Sequence, residues 1–315
     1  MDKLISVIIP TFNRCHLIGE TLDSVIAQTY QNWECIVIDD GSADYTDELL
    51  EFYCEKDNRI QFYHRPANRR KGANACRNFG FELSQGDYIQ WFDSDDVMFS
   101  NHLEALLSVL QICPSLDFVI GNSINFNENS ETSRPYIIDY EIPVSAENFI
   151  NERIGWITDD VLLRKSSITV VFDERISAGQ EYNFFSRLLI SGLKGQYIKK
   201  DLSLRRIHSN TIQANLNKDQ KRLILYRYKN DYYILRECMD TLPRNITKRN
   251  LKRLIRFSYE LSHASTTNKI QWLTWNMIKK QRYFKIGVLY FLWIIANRVS
   301  GKGYLFIKTS YRILD

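Results

Sequence analysis

The hydrophobic pattern of the first 110 residues alternates between two kinds of segment. Residues 4–10, LISVIIP, form an unbroken apolar run closed by a proline, and residues 33–41, WECIVIDDG, form a second that ends in a turn at Gly41. Between them Leu17, Ile18, Leu22, Val25 and Ile26 recur at helical spacing, which predicts a helix within 15–29. The alternation continues with a helix over 44–56, a strand over 60–66, a helix over 72–85 closed at Gly86, and a strand over 87–93. Ser100 then stands as the expected N-cap of HLEALLSVLQ. Apolar runs without internal alternation belong to strands covered on both faces, so the pattern predicts an α/β fold: a mostly parallel, Rossmann-like sheet flanked by helices. Residues 119–137 predict a strand followed by a loop or hairpin, 156–166 another strand, and 180–192 a helix closed by Gly192. From about 218 the pattern turns helical, aromatic and basic. The expected division is therefore a sheet domain over 1–217 and a helical basic extension over 218–315.

Composition fits a folded globular chain, with 44% hydrophobic and 25% charged residues. The net charge of +4 conceals a strong polarity. Residues 1–201 carry 18 Lys and Arg against 31 Asp and Glu, whereas residues 202–315 carry 23 against 6. A basic tail on an acidic domain points to an anionic surface as its partner. The six cysteines are scattered, without CxxC or metal-finger spacing, and are expected to be reduced core thiols in a cytoplasmic protein. The strand-like start at residue 4 leaves no room for a secretory signal, the expectation drawn from this sequence.

Polar clusters fall at the predicted strand ends, where open α/β sheets bind ligands. Pro10, Thr11, Phe12 and Asn13 follow the first strand; Asp39, Asp40, Gly41 and Ser42 the second; Asp93, Ser94, Asp95 and Asp96 the fourth. Paired carboxylates at a strand end suit a hard divalent cation, Mg2+ or Mn2+, which keeps open positions for phosphate oxygens. The same residues also make an ordinary solvated acidic turn. Asp39 and Asp40 suit either a strand-ending turn or recognition of a pyrimidine imide N–H. Arg77 serves either as a surface helix residue or as a contact to base, ribose or phosphate.

Taken in order, SVIIPTFNR (6–14), SVIAQTYQNWE (24–34), CIVIDDGSADYT (35–46), ANACRNFGFELSQGDYIQWFDSDD (73–96) and GQEYNFFSRL (179–188) resemble glycosyltransferase family 2. These are inverting, nucleotide-sugar-dependent enzymes of the GT-A fold. The resemblance covers about 210 residues and leaves the last 100 outside it. It implies a nucleotide site made of Pro10, Thr11, Phe12, Asn13, Asp39, Asp40, Arg77, Asp93 and Asp95, with Asp40 meeting the base and Asp39 supporting it. Phe12 stands where the family often has Tyr. It implies a DxD region over 93–96, with Asp96 the preferred ligand for Mn2+ or Mg2+, Asp95 on ribose or metal, and Asp93 shaping the turn. His208 is implied as a further contact to metal or diphosphate, with Arg205 and Arg206 the alternatives. Gln180-Glu181 stands where the family commonly has Glu-Asp, which makes Glu181 the implied catalytic base, one methylene longer. Trp156, Asp159 and Asp160 lie where an acceptor or donor sugar would be read.

The implied activity is transfer of a sugar from a nucleotide-sugar, a UDP-sugar before a TDP-sugar, to a glycan or lipid-linked acceptor in surface polysaccharide biosynthesis. A nucleotidyltransferase would want a Gly-rich or basic loop after the first strand, which PTFNRCH lacks. A non-catalytic scaffold would show damaged metal and base positions. In the tail, IGVLYFLWIIA (286–296) is eleven residues, far short of the roughly 20 that cross a bilayer as a helix. With KDQKRLILYRYK, KRNLKRLIRFSY and KKQRYFK around it, the tail suits an anionic membrane surface on the inner face of the cell membrane. The alternative is a helical subdomain packed on itself. No nucleic-acid motif is present, so nucleic acid is not expected as the anionic partner.

Overall fold

The computed structural model describes residues 3–127, 131–136, 138–207, 219–262, 267–300 and 303–314. The chain falls into two compact units, Met1–Thr211 and Ile212–Asp315.

The first unit is an α/β domain. Strands β1 (Ile5–Thr11), β2 (Trp33–Asp39), β3 (Ile60–His64) and β4 (Tyr88–Trp91) alternate with helices α1 (Ile18–Ile26), α2 (Thr46–Lys56) and α3 (Ala73–Leu83). There follow β5 (Val97–Met98), α4 (His102–Ile112), β6 (Phe118–Phe126), β7 (Thr132–Ser133), α5 (Ala146–Ile150), β8 (Val161–Arg164), α6 (Gln180–Ile190) and β9 (Gly195–Arg206). The strands form one sheet in the order β3-β2-β1-β4-β8-β6-β9-β5, with β7 paired to β6. Pairings β1–β2, β1–β4, β2–β3 and β6–β9 are parallel. Only β5, β7 and β8 run the other way.

The unbroken apolar run of β1 is explained by cover on both faces. Ile5, Val7 and Ile9 pack into a core shared with Leu22, Val25, Leu103 and Leu106 from α1 and α4. Ile8 points the other way, into a second core with Trp91, Phe118, Phe184 and Phe185. Gly80 lets α3 lie close on that face: a Cβ there would stand 2.4 Å from Ile8 Cγ2. In register, Thr11 lies beside Asp39 and Ile8 beside Trp91, so the carboxyl ends of β1, β2 and β4 open on one edge.

Three sequence expectations change in detail. Helix α4 starts at His102 and not behind Ser100; the carbonyl of Ser100 accepts from Thr29 N–H, and the Gln28 side chain takes the Leu103 N–H that a local cap would have used. The strand expected over 156–166 is a 3-10 turn, Thr158–Asp160, followed by the four residues of β8. Strand β5, two residues long, is not among the expected elements, whereas β7 pairs antiparallel with β6 as the hairpin alternative over 119–137 allows.

The second unit is wholly helical among its described residues: α7 (Gln220–Glu237), α8 (Arg244–Glu260), α9 (Thr267–Lys280), α10 (Phe284–Ser300) and α11 (Tyr304–Leu314). It has its own core, in which Leu251, Leu254, Ile255, Ile278, Tyr290 and Trp293 are fully enclosed. No described helix is long and apolar enough to cross a membrane.

Candidate active site

At the ends of β1 and β2 a pair of interlocked turns is built from side-chain hydrogen bonds. Asp39 is buried, and its carboxylate accepts from Gly41 N–H (2.8 Å), Ser42 N–H (2.9 Å) and the Ser42 hydroxyl. Gly41, at φ 87°, supplies the left-handed residue the turn needs. Asn13, itself at φ 52°, donates its N–H to Ser42 Oγ (2.7 Å), and its side-chain oxygen accepts from Ala43 N–H (2.9 Å). Asp39 and Asn13 are thus spent on shaping the edge. Asp40 is differently placed: its N–H donates to Thr11 O (2.9 Å), and its carboxylate is paired with Arg65, whose guanidinium also donates to Pro66 O and Arg69 O. Beside them Thr11 Oγ1 is buried with no hydrogen-bond partner among the described residues. Phe12 is exposed, with the Lys71 ammonium 4.0 Å from its ring centre. Pro10 is buried within β1, one residue before its end at Thr11.

The second half of the site lies past β4. Arg77, buried on α3, donates to Asp93 Oδ1 (2.6 Å) and to Gln180 Oε1 (3.0 Å), which ties α3, the acidic loop and the start of α6 together. Asp93, Asp96 and Asp159 bring carboxylate oxygens within 4.8 Å of one another. Asp159 Oδ1 accepts from Asp93 N–H (3.0 Å), while Asp159 Oδ2 is buried with no geometric hydrogen-bond partner among the described residues. Asp96 Oδ1 accepts from Arg206 N–H (2.7 Å). Burial pushes the Asp96 carboxyl up to about 7, and burial with the Asp93 and Asp96 charges raises Asp159 well above the ordinary range. Three hard oxygen donors, Asp96 and Asp159 buried and Asp93 half-buried, fit a divalent cation. Asp95 stands apart from this trio: its carboxylate is 3.6 Å from Arg14 Nε and its carbonyl accepts from Arg206 Nε. Asp93, read from sequence as a turn former, therefore joins the cluster by its side chain. His208 lies outside the described residues.

Asp159 reaches this edge because β8 is antiparallel to β4, so residues just before β8 lie where β4 ends. Sequence reading had given Asp159 only a sugar contact; strand direction is not written in a four-residue apolar run. Next to it Asp160 accepts from Ser123 Oγ and from Ile157 N–H (3.1 Å), and burial pushes it, too, up to about 7. Trp156 is a core residue, packed against Phe149, Phe118, Phe185 and Tyr197.

Glu181 occupies the first turn of α6, entered through Gly179 at φ 66° without a side-chain cap. Thr158 Oγ1 donates to its Oε1 at 3.4 Å. Its pKa is raised, first by desolvation and then by the Asp93 charge, against the opposing pull of Arg77 and Arg205. Arg205, on β9, in turn faces the carboxylates of Glu181, Asp96, Asp93 and Asp159, which hold its proton more firmly. The edge thus brings four carboxyl groups, the buried guanidinium of Arg77 and the half-buried one of Arg205 into one neighbourhood.

A mostly parallel sheet with this acidic edge is of the GT-A type, the architecture of glycosyltransferases of known structure. The structure of Staphylococcus aureus TarS 1-349 in complex with UDP-GlcNAc superposes with a TM-score of 0.65 at 15% identity, covering 99% of this chain and 90% of that one. The mannosyltransferase PcManGT from Pyrobaculum calidifontis, in complex with GDP-Man and Mn2+, gives 0.54 at 14% identity, covering 96% and 88%. The sequence profile of glycosyl transferase family 2 matches residues 6–170, and the chain belongs to that family. Among curated relatives, the glycosyltransferase GlyG of Streptococcus pneumoniae is 32% identical over 158 residues, 49% of this chain and 52% of GlyG. WfgD of Escherichia coli, a UDP-Glc:alpha-D-GlcNAc-diphosphoundecaprenol beta-1,3-glucosyltransferase, is 38% identical over 130 residues, 41% of this chain and 49% of WfgD. The match thus spans about half the length of these two relatives, and 15% of a Rickettsia bellii glycosyltransferase that is 43% identical over 110 residues.

Proposed function

We propose that the chain moves a sugar from a UDP-sugar to a hydroxyl of a glycan or lipid-linked acceptor, with inversion at the anomeric carbon, in surface polysaccharide biosynthesis. The observation that carries this reading is the setting of Glu181. It is a carboxylate at a helix start, raised in basicity, beside the arginines and carboxylates of the nucleotide edge. Asp40 and Thr11 take the base, with Pro10, Phe12 and Asn13 bordering it, and Asp39 holds their turn. Asp95 serves the ribose, and Arg77 and Arg205 face the diphosphate. The nucleotides in the TarS complex and in the name of WfgD support UDP as the carrier, and the WfgD name supports a lipid-linked acceptor.

A divalent cation, Mn2+ or Mg2+, held by Asp96 with Asp93 and Asp159, would supply positive charge to the departing diphosphate. Glu181 removes the proton of the acceptor hydroxyl as its oxygen attacks the anomeric carbon opposite the leaving group. A base whose pKa is raised toward neutrality accepts that proton more readily, provided the medium keeps it ionised. The helix start and the two guanidiniums favour its ionised form and so oppose that rise.

The decisive variant is Glu181→Gln. Turnover is expected to fall by about 10²–10⁴-fold while UDP affinity in calorimetry is unchanged; retained turnover would remove Glu181 from the base role. A panel of UDP-Glc, UDP-GlcNAc, TDP-Glc and GDP-Man, scored for Mn2+-dependent hydrolysis, checks the donor class. Turnover confined to GDP-Man contradicts the assignment of Asp40 to an imide.

A further inference from the structure

Helix α10 is apolar on two faces, and only one of them is used. Ile286, Tyr290, Trp293 and Ile294 are buried in the core of the second unit. Phe284, Val288, Phe291, Leu292, Ile295 and Val299 are between 37% and 82% exposed. Their spacing of four, three, one, three and four residues draws a single stripe along the helix. Ring contacts from Phe291 to Trp275 (5.7 Å) and from Trp275 to the exposed Trp272 (5.2 Å) extend the apolar surface onto α9. A continuous exposed surface of this kind marks an interaction site.

Charge decides what sits on it. From Ser262 to Leu314 the sequence contains nine Lys and Arg and no Asp or Glu. On α10, Lys285 and Arg298 are exposed and lie to either side of the stripe on the helical wheel, about 20 Å apart along the axis. Lys279, Lys280 and Arg282 are exposed just before the helix. A second copy of this surface would set like charges against like, so self-association is disfavoured. An anionic lipid surface satisfies both the apolar stripe and its cationic rims. Spanning is excluded for this helix by its length and by the core that claims its other face.

We propose that the exposed face of α10, with Trp272, is a docking surface for an anionic lipid bilayer, the helix lying in the headgroup plane. The surface is independent of the sugar-transfer site, so failure of one leaves the other standing. The test is flotation of the full chain with vesicles of phosphatidylglycerol in phosphatidylcholine against phosphatidylcholine alone. Binding is expected only to the anionic vesicles, with a blue shift of tryptophan emission that Trp272→Phe removes. Val288→Asp with Ile295→Asp, both at exposed positions, is expected to lower partitioning more than ten-fold. Lys285→Gln and Arg298→Gln should each lower it about five-fold. Unchanged helical circular dichroism shows that each variant is folded. Equal binding to both vesicles, no binding to either, or a dimer that the double Asp variant dissolves would each overturn the proposal.

Discussion

Burial pushes the carboxyls of Asp96 and Asp160 up to about 7 and raises Asp159 with them, whereas the same groups in an unfolded chain titrate near 3.9. A carboxyl whose folded pKa lies above its unfolded one keeps its proton in the fold while the unfolded chain gives it up. These groups therefore cost no stability below about pH 4, and stability falls as pH rises from there toward 7. A bound cation offsets that loss. Mn2+ should accordingly raise the melting temperature more at pH 7.5 than at pH 5, and Asp96→Asn should raise the metal-free melting temperature at pH 7.5 while removing most of the Mn2+ increment. Melts with an increment independent of pH, or unaffected by Asp96→Asn, would contradict the cation reading of the trio. At the same scale, if Glu181 is the base as proposed, transfer rate should climb with pH through its raised pKa and then level off. The residue types at the strand ends were readable from sequence; their partners were not. Asp93 and Asp95 are two positions apart in one loop, yet Asp93 meets Arg77 on α3 and Asp95 faces Arg14 in the loop after β1, a distinction set by segments distant in sequence.

Among the elements, α3 is held against the sheet by an absence. Gly80 has Ile8 and Ile38 where its side chain would be. Gly80→Ala would gain up to about 1 kcal/mol of helix propensity, but the 2.4 Å approach to a fully buried Ile8 sets against it an overpacking cost of about 1–3 kcal/mol. A net loss of stability is expected in urea unfolding, and because α3 carries Arg77, weaker nucleotide binding with it; a stabilised variant would show that the helix has room to lift. Elements of this half were legible because β1, β2 and β4 are buried on both faces and α1 between them keeps an apolar stripe. Legibility fails at the short strands, whereas β6 and α6, beyond residue 112, were still readable. Strand β8 has four residues, β5 and β7 two each, and their directions depend on which neighbour they meet. The reversal of β8 is what carries Asp159 into the site, so the part of the site that went unread is the part that rests on topology.

At the scale of the whole molecule the two units have separate cores and opposite charge, net −13 over residues 1–201 and net +17 over 202–315. UDP with Mn2+ binds, on the proposed reading, to the first unit alone. Saturation at about 100 times Kd should stabilise the binding state by about 2.7 kcal/mol, seen as slower amide exchange in β1, β2, β4 and α6 with α7–α11 unchanged. Slowed exchange confined to α7–α11 would refute that division. The order of the sheet has a consequence for synthesis. Strand β9 is last in the sequence of the domain, yet it lies between β6 and β5 and supplies the backbone N–H of Arg206 to Asp96, 110 residues earlier. On the ribosome, β5 must wait for a partner that is made about a hundred residues later, at a synthesis rate of roughly 5–20 residues per second. The nascent chain thus spends seconds with its sheet unfinished, and Asp96 gains the backbone N–H of Arg206 only when the final strand is inserted.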